Sequence, residues 1–314
     1  MKVLPAITAL MLAILAMASV TSCHSSEPVT EYPNDTIIRE RIDSVLKDIP
    51  AKVGYVIALE DTIIASKDLD SIYPMMSVFK LHVAMALVDR ANAGKLNLDS
   101  AIHLTTDMLK YDVYSPIYQE HPRADIDMSI SDLLHYSLNY SDNNASDILI
   151  NILGGPEVAN DYLKQFHLNN TQIKWIGYDM HLELERYFDN YTTPRDALTI
   201  TKQARKRKWL HQCLLKCQSG QGRIPGLLPD SVQVGHKTGT GGKINGLYSG
   251  YNDVGFVNLP DGRYFYVIIF MNEINMKEDE IAPYMAQISK IAFDEIEANY
   301  WPAPMQNPKK IKEE

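Results

Sequence analysis

Cysteine is scarce, three in 314 residues, so no disulfide framework is expected to organise the fold. Cys213 and Cys217 lie four apart in a stretch of helical periodicity, where their side chains run nearly parallel, a poor geometry for a disulfide; both read as buried or idle thiols. A basic surplus is also missing. The formal charge is −9, which excludes nucleic acid as a partner, because phosphate neutralisation needs excess Lys and Arg. The run Arg205-Lys-Arg-Lys208 reads as a solvated helix face. The nine histidines are scattered without H-x-H, H-E-x-x-H or any Cys/His cluster at ligand spacing, so neither a metal nor another cofactor is expected. Gly239-Thr-Gly-Gly242 matches no phosphate-loop pattern and reads as a tight turn. No internal repeat is present.

What is there begins with an address. Met1-Lys2 precedes an apolar run from Val3 to Val20 that ends in Val20-Thr21-Ser22-Cys23, so residues 1–22 read as a signal peptide cleaved before a cysteine. That ending resembles a bacterial lipobox, which implies lipidation at Cys23 and a periplasmic protein held to the membrane by its lipid alone. A plain secretory signal, or an uncleaved anchor, is the alternative. Residues 23–36 are polar with two prolines and read as a tether.

The remaining residues suffice for one large core or two intimate lobes. A charged helix spans Ile38 to Lys47. Val53–Leu59 and Thr62–Ala65 then read as a hairpin turning at Glu60-Asp61, and Val254–Leu259 with Tyr264–Phe270 as a second one turning at Pro260-Asp-Gly262. A closing helix is expected from about Asp279 to Ala298. Between the ends the periodicity is mostly helical. The expected fold is a two-lobed α/β (α+β) architecture: an antiparallel sheet lobe from 37–76 and 221–314, with a helical lobe, 77–220, inserted to make one catalytic domain.

In Pro-Met-Met-Ser77-Val-Phe-Lys80 a hydroxyl and an amine stand one helical turn apart at the start of an apolar run, so Lys80 can reach Ser77 and activate it as a nucleophile. Ser44-Val-Leu-Lys47 matches the same spacing inside an ordinary charged helix, so the pattern alone proves little. Ser141-Asp142-Asn143 and Lys237-Thr238-Gly239 follow Ser77 in order, each once. With these the chain resembles the class A serine β-lactamases and the related penicillin-binding proteins, whose signature is S-x-x-K, S-D-N and K-T-G. The resemblance runs from about residue 38 to the C-terminus.

It implies an acyl-enzyme on Ser77, formed from a β-lactam or a peptidoglycan-like substrate, with Lys80 as base. The backbone N–H groups of Ser77 and Thr240 would bind the oxyanion. Ser141 would relay a proton to the departing nitrogen, and Asn143 would hold the substrate amide and Lys80. Lys237, Thr238 and Arg223 would bind the substrate carboxylate beside Gly239, and burial and Lys237 would lower the pKa of Lys80 while the two lysines tune each other. Arg223 otherwise reads as a surface arginine. Tyr114, in Tyr114-Ser-Pro116, resembles an aromatic gatekeeper, or is a packed tyrosine. A monomer is expected.

One position departs from the family. The glutamate that activates the deacylating water should stand at 177, within Trp175-Ile-Gly-Tyr-Asp-Met180, and the residue there is Gly177. Asp147 and Asn190 resemble the Asp/Asn arrangement that pins the surrounding loop in the PER-type subgroup. Asp179, Glu183 or Glu185 would serve as base if the loop were re-registered. Three readings follow: a β-lactamase with a displaced base, a penicillin-binding protein or peptidase that deacylates slowly, and a non-catalytic binding relative. In the first two the acyl-enzyme is expected to accumulate.

Overall fold

The computed structural model describes residues 35–168 and 170–299; the expected leader, Cys23 and most of the tether lie outside the described residues. Its sheet is antiparallel and five-stranded: β1 (Lys52–Leu59), β2 (Thr62–Lys67), β3 (Gln233–Thr240), β4 (Tyr251–Asn258) and β5 (Tyr264–Asn272), in the order β2-β1-β5-β4-β3. The two hairpins of the sequence are β1–β2 and β4–β5. They meet along β1 and β5, so the first and last thirds of the chain share one sheet.

Alternation along the strands decides what each face meets. Tyr266, Ile268 and Phe270 of β5, with Val56 and Ala58 of β1 and Val254 and Phe256 of β4, enter the larger core beneath the helices of the middle segment. Phe265, Val267, Ile269 and Met271, with Tyr55 and Ile57, enter a second core under α1 (Asp35–Leu46) and the closing helix α8 (Glu278–Asn299). Helix α1 begins at Asp35, inside the expected tether, and buries Ile38, Ile42 and Leu46, a four-residue spacing that makes one stripe. Truncating Phe270, fully buried between layers, would cost about 3–5 kcal/mol.

The middle segment is built around α2 (Phe79–Asn92), which is buried on every side from Phe79 to Val88 and so is the central helix. Around it lie α3 (Ile130–Asn139), α4 (Asn143–Leu153), α5 (Gly177–Leu182), α6 (Pro194–Lys206) and α7 (Lys208–Leu214). Helix α6 packs directly on β1, β4 and β5, so helices and sheet share a core. The basic run 205–208 is not one solvated face. The helix breaks at Arg207, whose backbone turns extended (φ −91°, ψ 109°), and its guanidinium grips Asp89 at the end of α2 through two 2.6 Å bonds. Arg205 stacks on Tyr264, 3.3 Å from the ring centroid. Cys213 and Cys217 are both free and buried.

Candidate active site

The three motifs arrive at one place because the turn that opens α2, the link between α3 and α4 and the end of β3 pack together. Ser77 lies in the single 3₁₀ turn Met76–Val78 that runs straight into α2, one turn earlier than a helix proper. Ser141-Asp142 is the link between α3 and α4, with Asn143 the first residue of α4. Lys237, Thr238 and Gly239 lie on β3, the edge strand nearest that turn. Ser77, Ser141, Asn143, Thr238 and Thr240 all line one cavity of about 260 Å³, together with Arg223 and Tyr114. Lys80 and Lys237 stand behind it, both fully buried.

Two backbone positions in this cluster carry strain. Met76, immediately before Ser77, has φ +48°, and Ser141 has φ +60°; left-handed backbone at non-glycine residues costs on the order of 1–3 kcal/mol and persists only where its surroundings hold it. Gly239 is required by close approach. A Cβ on it would sit 2.6 Å from the Met75 carbonyl oxygen and 3.3 Å from the Ser77 nitrogen, so only glycine lets β3 lie against the nucleophile turn.

The Lys80 amine donates to the Ser141 carbonyl at 2.7 Å, to Asn143 Oδ1 at 2.9 Å, and at longer range to the Asp142 carbonyl and Ser141 Oγ. In this resting state it does not bond Ser77 Oγ. Burial, then the charge of Lys237, hold it well below the ordinary lysine range, while Asp142 and Asp147 pull it back. Lys237 donates to Ser141 Oγ at 2.9 Å, so that hydroxyl stands between the two amines. Its own pKa falls to about 8, by burial and with Arg223 helping, against Cys217 and Asp253. The repulsion between the two lysines acts on both, and the Arg223 guanidinium adds to it at Lys237. Behind β3, His236 bonds the Asp253 carboxylate at 2.9 Å; burial alone would lower this imidazole, but Asp253 and then Cys217 raise it to about 10.

Arg223 is buried, which settles its position against a surface role. It donates to the carbonyls of Gly239 and Asn252 and to Thr240 Oγ1 at 2.6 Å, and it lies over the Tyr251 ring. Thr238 Oγ1 meets Ser219 Oγ at 2.7 Å. Tyr114 is 58% exposed at the cavity rim, where its carbonyl accepts the Asn143 N–H. Its place is fixed by Asp142, to which the sequence reading gave no task. One carboxylate oxygen caps α4 through the Ala145 N–H; the other accepts from Ser115 Oγ and the Ile117 N–H, stapling the Tyr114 loop.

Asp147 and Asn190 do anchor the loop of Gly177, though through its backbone and not through each other. Asp147 accepts the N–H groups of Gly177 (2.6 Å) and Tyr178 (2.8 Å), while Asn190 accepts from Lys174 and Trp175 and donates to the Trp175 carbonyl. Burial raises Asp147 to about 6 in spite of those bonds. Gly177 faces the cavity, whereas Asp179, Glu183 and Glu185 do not line it. His181, one turn further along α5, does. In the sequence it is one histidine among nine, with no motif to mark it. Among the described residues, no group of three or more His, Cys, Asp or Glu is placed to hold a metal, and no helix is long and apolar enough to cross a membrane.

Comparison with known proteins agrees with this geometry. Residues 37–296 match the β-lactamase enzyme family. A β-lactamase of Bacteroides uniformis is 30% identical over 267 residues, covering 82% of this chain and 90% of the relative. The extended-spectrum β-lactamase PER-1 of Pseudomonas aeruginosa is 28% identical, covering 82% and 86%. The crystal structure of a representative class A β-lactamase from Bacteroides cellulosilyticus superposes with a TM-score of 0.80 at 33% identity, over 84% of this chain and 98% of that one. The chain belongs to the β-lactamase enzyme family and is a serine β-lactamase of the class A kind.

Proposed function

We propose that the cavity opens the strained amide of β-lactams through an ester on Ser77. The observation that carries this is the meeting of Ser77, Lys80, Ser141, Asn143, Lys237 and Thr238 from three separate segments at one cavity. Ser77 Oγ adds to the lactam carbonyl and its proton passes to Lys80, which burial and Lys237 keep ready to accept one. The N–H groups of Ser77 and Thr240 hold the oxyanion. As the C–N bond breaks, the proton moves from Lys80 by way of Ser141 Oγ, 3.4 Å away, to the leaving nitrogen. Lys237, Thr238 and Arg223 present positive charge and a hydroxyl to the substrate carboxylate, with Tyr114 at the rim. Water then hydrolyses the ester and Ser77 regains its proton.

Every one of these residues comes from a single chain, which supports action as a monomer. The leader and its Val20-Thr21-Ser22-Cys23 ending support export to the periplasm and a lipid on Cys23; Cys23→Ser should release the protein from membranes, and an unmodified Cys23 in the mature wild type would refute the anchor. For the site, a fluorescent penicillin should label the wild type and Ser44→Ala equally and leave Ser77→Ala unlabelled. Equal labelling of Ser77→Ala would show that another residue is the nucleophile.

A further inference from the structure

Deacylation needs a group that takes a proton from water, and among the described residues no Asp or Glu side chain lines the cavity that holds Ser77. The position expected to supply one is Gly177. Of the carboxylates near it, Asp147 spends both oxygens on the N–H groups of Gly177 and Tyr178, and Glu183 is paired with Arg186 at 2.6 Å. Gly177 and His181 are four apart on α5, so the two share a face of the helix, and the imidazole looks into the cavity from one turn beyond the missing carboxylate.

The hydrogen bonds define its tautomer. Asn143 turns its amide oxygen to the Lys80 amine, which donates to it at 2.9 Å, and the amide nitrogen therefore faces His181 Nε2 at 3.5 Å. Nε2 opposite an N–H is the acceptor, unprotonated and engaged only by this long 3.5 Å bond. The ring proton then lies on Nδ1, which donates to the Tyr187 oxygen at 2.9 Å. Tyr187 also meets the ring edge-on, and it lines the same cavity. A neutral imidazole is thus held with its basic nitrogen beside Asn143, the residue that also positions Lys80.

We propose that His181 is the general base of deacylation, taking through Nε2 the proton of the water that attacks the Ser77 ester. The water oxygen bonds the acyl carbon, the C–Oγ bond breaks, and the proton held on Nε2 returns to Ser77 Oγ, so that one water is consumed and the enzyme is restored. Burial, then the charge of Lys80, lowers the pKa of the imidazole below 6.5, with Asp112 opposing, so the base is free at neutral pH.

This rests on the acyl-enzyme reading above, and one experiment separates the two. Intact mass would be followed after mixing purified protein with benzylpenicillin, for the wild type, His181→Asn and His181→Gln. The variants should acylate to one adduct per enzyme, which shows a folded site, and then lose the adduct about 10²–10⁴-fold more slowly. In the wild type, the rate of adduct loss should fall in acid with a midpoint below pH 6.5, and this limb should vanish in both variants. Asp179→Asn, Glu183→Gln and Glu185→Gln should lose the adduct at the wild-type rate. Adduct loss at the wild-type rate in His181→Asn, an acid limb that survives in it, or a large slowing in one of the carboxylate variants would each overturn the assignment. A wild type that forms product with no dependence on Ser77 would instead overturn the acyl-enzyme reading.

Discussion

Replacing Asp142 by Asn tests how the site is held open. The buried carboxylate makes three bonds: Oδ1 to the Ala145 N–H at 2.9 Å, and Oδ2 to Ser115 Oγ at 2.9 Å and the Ile117 N–H at 2.8 Å. Asparagine has one oxygen to offer. If it faces Ser115 and Ile117, its NH₂ confronts the Ala145 N–H and the cap of α4 is lost; if it caps α4, two other donors are stranded. The first arrangement strands fewer groups, and a lost cap with one buried unsatisfied donor costs about 2 kcal/mol. Asp142→Ala strands all three donors and should cost roughly 4 kcal/mol by the same reckoning. Urea unfolding gives these values from the shift in midpoint at constant slope. Asp132→Asn, an exposed carboxylate bonded to Ser129, should stay within about 0.5 kcal/mol of wild type. Acylation should slow as well, since the Tyr114–Ile117 loop loses its staple. An Asp142→Asn protein as stable as wild type, or an Asp142→Ala protein no less stable than the Asn variant, would refute the reasoning.

Gly239→Ala should slow penicillin labelling at least tenfold and cost about 1–3 kcal/mol, because its Cβ cannot approach the Met75 carbonyl without moving the nucleophile turn; labelling at the wild-type rate would show that the contact does not matter. Asp89→Asn should cost about 2 kcal/mol at pH 7, since one amide oxygen replaces the two carboxylate oxygens that accept from Arg207 Nε and Nη2 and from the Tyr162 hydroxyl, and Arg207 loses its counter-charge in a partly buried place. Burial alone would raise Asp89, but the bonds from Arg207 and Tyr162 outweigh it and lower its pKa, so its contribution is present above about pH 4 and lost as pH falls through the folded value. The gap between wild type and Asp89→Asn in urea melts should therefore close in acid. A gap that stays constant from pH 7 to pH 3 would contradict the pairing.

What the sequence shows and what it hides follow from range. The hairpins, α1 and α8 are written in short periods, two or four residues, and each element lies within a residue or three of its expected bounds. The motif residues were legible through resemblance, and the fold brings them together. Contacts between distant segments left no local mark. Nothing in Arg205-Lys-Arg-Lys208 says that Asp89 waits for Arg207, and nothing near His236 says that Asp253 lies beside it on the next strand. Asp142 sits inside a known motif, yet its three bonds reach 25 to 27 residues back as well as forward to Ala145. His181 carries one usable signal, its four-residue spacing from Gly177, which acquires meaning only once α5 is seen facing the cavity. The Gly177 backbone is not left-handed, so a side chain there meets crowding and not backbone strain: a Cβ would stand 3.0 Å from Asp147 Oδ1, which Gly177→Glu must push back by a few tenths of an ångström.

The fate of Ser77 during one turnover decides most directly whether the cavity works through an acyl-enzyme. Rapid mixing of the enzyme with benzylpenicillin, acid quenching and peptide mapping by mass should find a single adduct of the intact penicillin on the peptide that holds Ser77, appearing before product and disappearing as hydrolysed penicillin accumulates. Ser77→Ala should show neither adduct nor product. Penicillin hydrolysed at the wild-type rate by Ser77→Ala, or an adduct mapped to any other residue, would contradict it.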